Sequence, residues 1–228
     1  MELDLTRGSV LKNVVRFSLP YLLSYFLQTL YGMADLFIIG QYAGVEATTA
    51  VSVGSQVMHM LTVMIVGLAM GTTVSIAQSI GAKDHARTAA ATGSTVTLFL
   101  SLSLLLTGLL LLLRGSIVSA MSTPEEAVAL AGGQYLRGYI WDSFFAGIQF
   151  SFSGYFCACG RSGLSFLHNF LSIVLVRIPG AYAASRLFPQ TLLPMGLANA
   201  AGSLFSILVC VCAYLILTRR RESRLQEE

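Results

Sequence analysis

Long apolar runs alternate with short polar gaps over most of the sequence. A helix needs roughly 20 mostly apolar residues to cross the hydrocarbon core of a bilayer, and the chain has room for about six such helices joined by short loops. The pattern therefore predicts an all-α polytopic membrane protein, a six-helix transmembrane bundle forming one domain over residues 1–228. The predicted helices cover about 14–41, 50–80, 90–113, 134–159, 164–187 and 195–218, and a basic tail follows at 219–228.

The composition agrees with this pattern and excludes two other classes of protein. Hydrophobic residues make up 55% of the chain and charged residues only 11%, with a mean hydropathy of +0.72. Soluble domains carry about 25% charged residues, and disordered chains combine low hydrophobicity with high charge. The net charge of +3 is therefore interpreted as a feature of membrane topology. The expected partner is the lipid bilayer and not nucleic acid.

Lysine and arginine residues are distributed unevenly between the two sides of the predicted bundle. By the positive-inside rule, the side that holds most of them is cytoplasmic. The rule places both termini in the cytoplasm, as an even number of helices requires, and the expected location is the cell membrane. The residues on that side are Arg7, Lys12, Arg16, Lys83, Arg87, Arg161, Arg219, Arg220, Arg221 and Arg224; those elsewhere are Arg114, Arg137, Arg177 and Arg186.

The first predicted helix carries a polar stripe. Ser24, Gln28, Tyr31 and Asp35 are separated by four, three and four residues, which places them on one helical face. Polar side chains are costly in lipid, so the stripe is predicted to face the protein interior or a water-filled cavity. A carboxylate at Asp35 is neutral if desolvated or charged if a cation is near, and a transporter that exchanges a proton or sodium can use both states. The alternative is a structural ion pair.

Pro20 lies inside the same helix and predicts a kink, because it removes a backbone donor and crowds the preceding turn. One hypothesis is that the kink changes with the protonation of Asp35. The alternative is a static kink.

The fourth and fifth predicted helices also carry buried polar groups. Asp142, Gln149 and Ser153 share one face of the fourth helix, and Asp142 is expected at a depth similar to that of Asp35. Arg177 lies near the middle of the fifth helix and needs a carboxylate, a carbonyl lining or water. It either neutralises Asp142 or Asp35 or contributes directly to transport.

Other positions have less specific interpretations. Gly67 and Gly71 have the spacing of closely packed helices, and Gln78 on the same helix is a candidate cavity residue. His168 and Asn169 are expected at the membrane interface. The cysteines form two Cys-x-Cys pairs whose members point to nearly opposite helix faces, so packing is favoured over a metal site: Cys157, Cys159, Cys210 and Cys212.

Enzyme motifs are not found. The sequence lacks a Gly-x-Ser-x-Gly elbow, a His-Glu-x-x-His motif and a phosphate-binding Gly-x-x-x-x-Gly-Lys loop. We therefore expect neither enzymatic activity nor a cofactor, and the chain cannot itself couple ATP hydrolysis to transport.

Several strings resemble a known family of transporters. In the first two helices these are Leu19-Pro20, Gln28, Tyr31, Ala34-Asp35-Leu36-Phe37-Ile38-Ile39-Gly40, Gly67-Leu68-Ala69-Met70-Gly71 and Ala77-Gln78-Ser79-Ile80-Gly81-Ala82-Lys83-Asp84. In the last two they are Val176-Arg177-Ile178-Pro179-Gly180-Ala181-Tyr182 and Gly196-Leu197-Ala198. Together they resemble the multidrug and toxic compound extrusion (MATE) family.

The resemblance implies a fold, a function and site residues. Family members have two six-helix lobes, and this chain looks like the first half of one lobe joined to the last half of the other. It is either a half-size unit that forms a homodimer or an inactive truncated remnant. Pro20, Tyr31 and Asp35 match positions linked in the family to cation or proton coupling. The family's partner carboxylate on the fifth helix has no clear match, and Asp142 is the substitute suggested here.

Three functions remain open. The first is efflux of amphipathic, often cationic organic compounds in exchange for H⁺ or Na⁺, in a cavity lined by aromatic residues. The second is a non-transporting membrane subunit or scaffold. The third is a carrier of a lipid-linked precursor, which needs more basic residues than Arg177 alone. The candidate cavity-lining residues are Ser24, Gln28, Gln78, Asp142, Gln149 and Arg177, with Phe26, Tyr31, Phe144, Phe145 and Phe150 as the aromatic candidates.

Overall fold

The computed structural model describes residues 9–121 and 126–227, and this part of the chain is helical with short connections and no strand. A π-helical turn at Ile173–Arg177 joins α5 to α6, so these three elements form one continuous rod. With that rod counted once, the predicted all-α six-helix bundle is confirmed over the described ranges. The helices are α1 Val10–Tyr42, α2 Val45–Gly81, α3 His85–Met121, α4 Glu126–Ala158, α5 Ser162–Ser172, α6 Ile178–Leu187 and α7 Leu193–Glu227.

Five rods are long and apolar enough to cross a membrane. They cover Val10–Tyr42, Val45–Gly81, Ala86–Leu113, Ser162–Leu187 and Leu193–Leu217. The fourth predicted span corresponds to α4, which has 33 residues but a more polar sequence.

Helix α4 can be more polar because it is the central helix of the bundle. It packs against α7, α2, α3 and α5, and from residue 128 to 158 its exposed residues are Leu130, Arg137 and Trp141. A helix that its neighbours shield from lipid is not required to be apolar all round. Apart from the exposed Arg137, its polar side chains between residues 128 and 158 therefore face other helices.

Glycines set the closest helix approach. A Cβ atom added to Gly138 of α4 would lie 2.5 Å from the carbonyl oxygen of Leu193, and one added to Gly196 of α7 would collide with the carbonyl oxygen of Tyr135. The backbones of α4 and α7 therefore meet with no room for side chains.

The glycine pair predicted to pack on α2 behaves differently. Gly67 and Gly71 are exposed, and nothing lies within 4 Å of an added Cβ atom at either position. The prediction of helix packing at this pair is wrong within the described chain, because α2 turns the opposite side toward α4.

The predicted basic tail continues α7 as a helix to Glu227. The side chains of Arg114, Arg220, Arg221 and Arg224, and all of Arg7, lie outside the described residues.

Candidate functional site

The polar stripe of α1 faces the interior of the bundle, as predicted. Tyr31, Asp35 and Ile39 are buried, with Asp35 only 3% exposed, whereas Phe26 on the other side of the helix is 60% exposed. The helical period thus separates an inward polar face from an outward apolar face.

Asp35 belongs to a hydrogen-bond network that joins four helices. The Tyr135 hydroxyl of α4 donates to Asp35 Oδ2 at 3.2 Å. The same hydroxyl lies 3.0 Å from Ser55 Oγ of α2 and accepts a hydrogen bond from Asn199 Nδ2 of α7 at 3.3 Å. These three partners are absent from the sequence prediction, although Tyr135 lies seven residues before Asp142 and extends the stripe of α4 by two turns.

Three buried oxygens around this network have no hydrogen-bond partner in the described part of the chain. They are Asp35 Oδ1, the Tyr31 hydroxyl and Asn199 Oδ1. A buried polar atom without a partner is costly. The network therefore has unused capacity for a proton, a water molecule or a small cation.

Arg177 forms an ion pair with Asp142. Its Nη2 donates to Asp142 Oδ1 at 3.3 Å and to Ser203 Oγ at 2.7 Å. The guanidinium also lies 5.4 Å from the centroid of the Tyr31 ring, and the stem packs where Gly202 leaves space on α7. Of the alternatives left open by the sequence, Arg177 thus pairs with Asp142 and not with Asp35.

The expected similar depth of Asp35 and Asp142 is wrong. Asp35 lies level with Tyr135, and Asp142 follows seven residues later, about 10 Å farther along the axis of α4. The reason is the position of α4, which begins at Glu126 and not near residue 134.

A π turn places Arg177 on the inner face of the fifth rod. The buried positions on this face include His168, Ser172, Arg177, Ala181 and Ser185, with spacings of four, five, four and four residues. The Ile178 backbone N–H donates to the Ile173 carbonyl, five residues earlier, and this turn absorbs the extra residue. In a regular α-helix Arg177 would be rotated by about 100° from this face.

A cavity of about 390 Å³ lies between α1, α2, α4 and α5. It is on the side of the bundle that holds the first half of α1 and the second half of α4. Five predicted lining residues do line it: Ser24, Gln28, Asp142, Gln149 and Arg177.

Other predicted site residues lie away from this wall. Gln78 does not line the cavity, because Thr73 and Ala77 share the inward face of α2 and Gln78 is turned from it. Asp35, Tyr31 and Pro20 are also absent from the lining. Asp35 is one turn beyond Tyr31, and Arg177 packs against Tyr31 at the cavity wall, so the chamber lies short of Asp35. The helix α1 continues through Pro20, whose coupling role stays a prediction.

The aromatic candidates divide in the same way. Phe150 lines the cavity. Phe144 and Phe145 contact each other edge to face and are not in the lining, and Phe26 is exposed. The prediction of an aromatic wall is therefore wrong for most of its residues, because successive residues of α4 face different neighbours.

His168, predicted at the membrane interface, has its side chain inside the bundle. The side chain is 3% exposed and lines the cavity together with Asn169, because α5 packs its polar face against α4 and α7. His168 Nδ1 lies 2.7 Å from Ser206 Oγ, and the neighbouring Ser165 hydroxyl is hydrogen-bonded to Ser153 of α4.

The cysteines follow the expected division between faces. Cys157 and Cys210 are buried, Cys159 is half-buried and Cys212 is exposed. Within residues 9–121 and 126–227 no group of three or more His, Cys, Asp or Glu side chains could hold a metal ion.

Comparison with known proteins identifies the family. The MatE family profile matches residues 20–183, from α1 into α6. The probable multidrug resistance protein YoeA of Bacillus subtilis is 26% identical over 170 residues, which cover 75% of this chain and 36% of YoeA. The probable multidrug resistance protein NorM of Thermotoga maritima is 27% identical over 168 residues, which cover 72% of this chain and 36% of NorM.

Solved structures agree with the fold. An outward-facing multidrug resistance MATE family transporter of the MOP superfamily superposes with a TM-score of 0.83 at 24% identity, covering 95% of this chain and 47% of that chain. A MATE structure in the bent conformation gives a TM-score of 0.78 at 26% identity, with the same coverage. The chain thus matches about half of the length of the solved transporters. The family profile, the relatives and the superposed fold agree, and the chain belongs to the MatE family, the multidrug and toxic compound extrusion family that its sequence resembles.

Proposed function

We propose that this chain is one lobe of a secondary active multidrug efflux transporter in the cell membrane, with both termini in the cytoplasm. It binds amphipathic, often cationic organic compounds in the cavity and exports them in exchange for H⁺ or Na⁺. The relatives named as probable multidrug resistance proteins support this assignment.

A single arrangement of groups carries the proposal. A cavity of about 390 Å³, within the range of small-molecule sites, ends at the Arg177–Asp142 pair, and Arg177 contacts Tyr31 one turn before Asp35. Cargo and coupling ion thus have separate sites joined by one layer of side chains.

The coupling site proposed here is the Asp35 network. Asp35 Oδ1 is buried without a partner, and so are the Tyr31 hydroxyl and Asn199 Oδ1. Uptake of H⁺ or Na⁺ there would change the hydrogen bond from Tyr135 and shift α1 against α4. Arg177, resting on Tyr31, would pass this shift to the cavity wall.

The proposal includes a second lobe supplied by a second copy of the chain. Alternating access in two-lobed transporters moves one repeat against the other around a central site. The exposed Gly67 and Gly71 support close approach by a helix from outside this chain. Crosslinking in native membranes tests this part, and an exclusively monomeric chain would contradict it.

Transport is tested by reconstitution. The purified chain in liposomes loaded with the dye tetramethylrosamine should lose dye when a pH or sodium gradient is imposed, and the effective gradient identifies the ion. Asp35→Asn should abolish this loss with unchanged expression. Glu46→Gln, which changes an exposed carboxylate at the start of α2, should have no effect. Unchanged transport by Asp35→Asn would refute the coupling role.

A non-transporting subunit or scaffold is the second candidate. The Arg177–Asp142 pair favours it, because a neutralised pair leaves no free charge at the cavity wall. A reconstituted dimer that releases no dye under either gradient would support this function.

A further inference from the structure

The cavity wall contains a polar group with no part in the coupling network. His168 lines the cavity, and its Nδ1 is turned toward Ser206 of α7 at 2.7 Å. The other ring nitrogen, Nε2, is buried and has no hydrogen-bond partner among the described residues. A buried nitrogen in this condition is costly unless a water or a ligand meets it.

The partner on α7 indicates which nitrogen carries the proton. Ser206 is 0% exposed, and His168 is its hydrogen-bond partner in the described structure. Its hydroxyl proton is therefore satisfied when it points at Nδ1. Nδ1 is then the acceptor, and in the neutral ring the proton resides on Nε2.

In the described part of the chain, the charged groups of the wall leave no other free donor at the cavity. Arg177 Nε is buried without a hydrogen-bond partner among the described residues, but it faces Gly202 of α7. Asp142, the carboxylate of the wall, is paired with Arg177. An acceptor oxygen on a bound molecule would complement the N–H of His168.

We propose that His168, held by Ser206, is a specificity-determining residue of the cavity whose Nε2–H donates a hydrogen bond to an ester, carbonyl or carboxylate oxygen of the cargo. This inference rests on the proposed function, because it takes the cavity to be the cargo site. It adds a selection rule: among compounds of equal charge and similar shape, the chain prefers those with an acceptor oxygen.

Two dyes that differ in the ester group separate the effect of this hydrogen bond from the effects of charge and aromatic surface. Tetramethylrhodamine methyl ester and tetramethylrosamine share one cationic ring system, and the ester group is carried by the first alone. Fluorescence anisotropy with the full chain in nanodiscs gives both dissociation constants. Since one hydrogen bond contributes modestly to affinity, the wild type should bind the ester dye about three- to tenfold more tightly.

Variants of the chain test whether His168 causes that ratio. His168→Phe should reduce it to about one, and His168→Gln, which keeps an N–H donor, should retain most of it. Phe150→Leu, an apolar change of the same cavity, should weaken both dyes equally and leave the ratio intact. Ser206→Ala should also lower the ratio, because it removes the hydrogen bond that holds the His168 ring, although Ser206 itself does not contact the cargo. It serves as the second variant if His168→Phe fails to fold.

The outcomes distinguish this inference from the function on which it rests. Equal affinity of the wild type for both dyes, or a ratio that persists in His168→Phe and Ser206→Ala, would overturn the role of His168 and leave the transport proposal standing. Binding of neither dye would overturn the cargo cavity and, with it, this inference.

Discussion

The guanidinium of Arg177 lies 5.4 Å from the centroid of the Tyr31 ring, so the cation of the fifth rod rests on the helix that carries Asp35. Tyr31 and Asp35 are one turn apart on the buried face of α1. Arg177 also holds Asp142 on α4 and Ser203 on α7. A displacement of α1 therefore disturbs the cavity wall and the Asp35 network together.

Removing Arg177 should destabilise the bundle. Arg177→Gln leaves Asp142 buried without a counter-ion, and the expected loss is about 3 to 5 kcal/mol in the free energy of unfolding. The double variant Asp142→Asn with Arg177→Gln should recover a large part of this loss, because neither charge remains. Denaturant titration of the purified protein in detergent measures both. Additive losses in the double variant would contradict the ion pair.

Closing the space at Gly202 should displace Arg177. An added Cβ atom there would lie 2.8 Å from Arg177 Nε and still closer to the stem, so Gly202→Ala should cost about 1 to 3 kcal/mol. Gly67→Ala is the matched control in a helix, because nothing lies within 4 Å of its added Cβ. That control should be neutral or slightly stabilising. Equal effects of the two changes would argue against the close contact.

Loss of the Tyr135 hydroxyl should weaken the coupling site. Tyr135→Phe removes the donor to Asp35 and the acceptor for Asn199, with an expected cost of about 1 to 3 kcal/mol. Gradient-driven dye loss should fall as well. Tyr182→Phe, which removes an exposed hydroxyl of the fifth rod that accepts a hydrogen bond from Arg186, should leave dye loss unchanged. A Tyr135→Phe variant with normal stability and transport would remove this network from the mechanism.

The two glutamines should differ in their effect on cargo. Gln149 lines the cavity and Gln78 does not, although the sequence alone makes both candidates. Gln149→Leu should change the affinity for tetramethylrosamine severalfold, on the scale of one hydrogen bond or one apolar contact. Gln78→Leu should leave that affinity unchanged. Anisotropy titrations compare the two variants. A larger effect of Gln78→Leu would mean that the cargo does not bind in this cavity.

The stripe on α1 illustrates what is readable from local pattern. The spacing of Ser24, Gln28, Tyr31 and Asp35 is enough to place them on one face, and the cost of polar groups in lipid is enough to turn that face inward. The same reasoning finds the stripe of α4. It fails for Gln78. The preceding residue, Ala77, lines the cavity, and one residue of helical rotation turns Gln78 away from it.

The fifth rod illustrates what pattern cannot supply. A regular helix would not keep His168 and Arg177 on one face, and the π turn at Ile173–Arg177 does so. Pro179, two residues later, marks an irregular helix here, but it specifies neither the π turn nor the face on which Arg177 lies. Similarly, the earlier start of α4 moves Tyr135, and not Asp142, to the level of Asp35.

The amino-acid sequence was therefore sufficient for the class of protein, the helices, the inward faces of α1 and α4 and the family, since hydrophobic transfer and helical periodicity act within each segment. The choice of partners was set only by packing in three dimensions. The helix offset, the glycine contact between α4 and α7 and the π turn are determined by how whole surfaces fit together. Those fits paired Arg177 with Asp142, joined Asp35 to Tyr135 and placed the cavity short of Asp35.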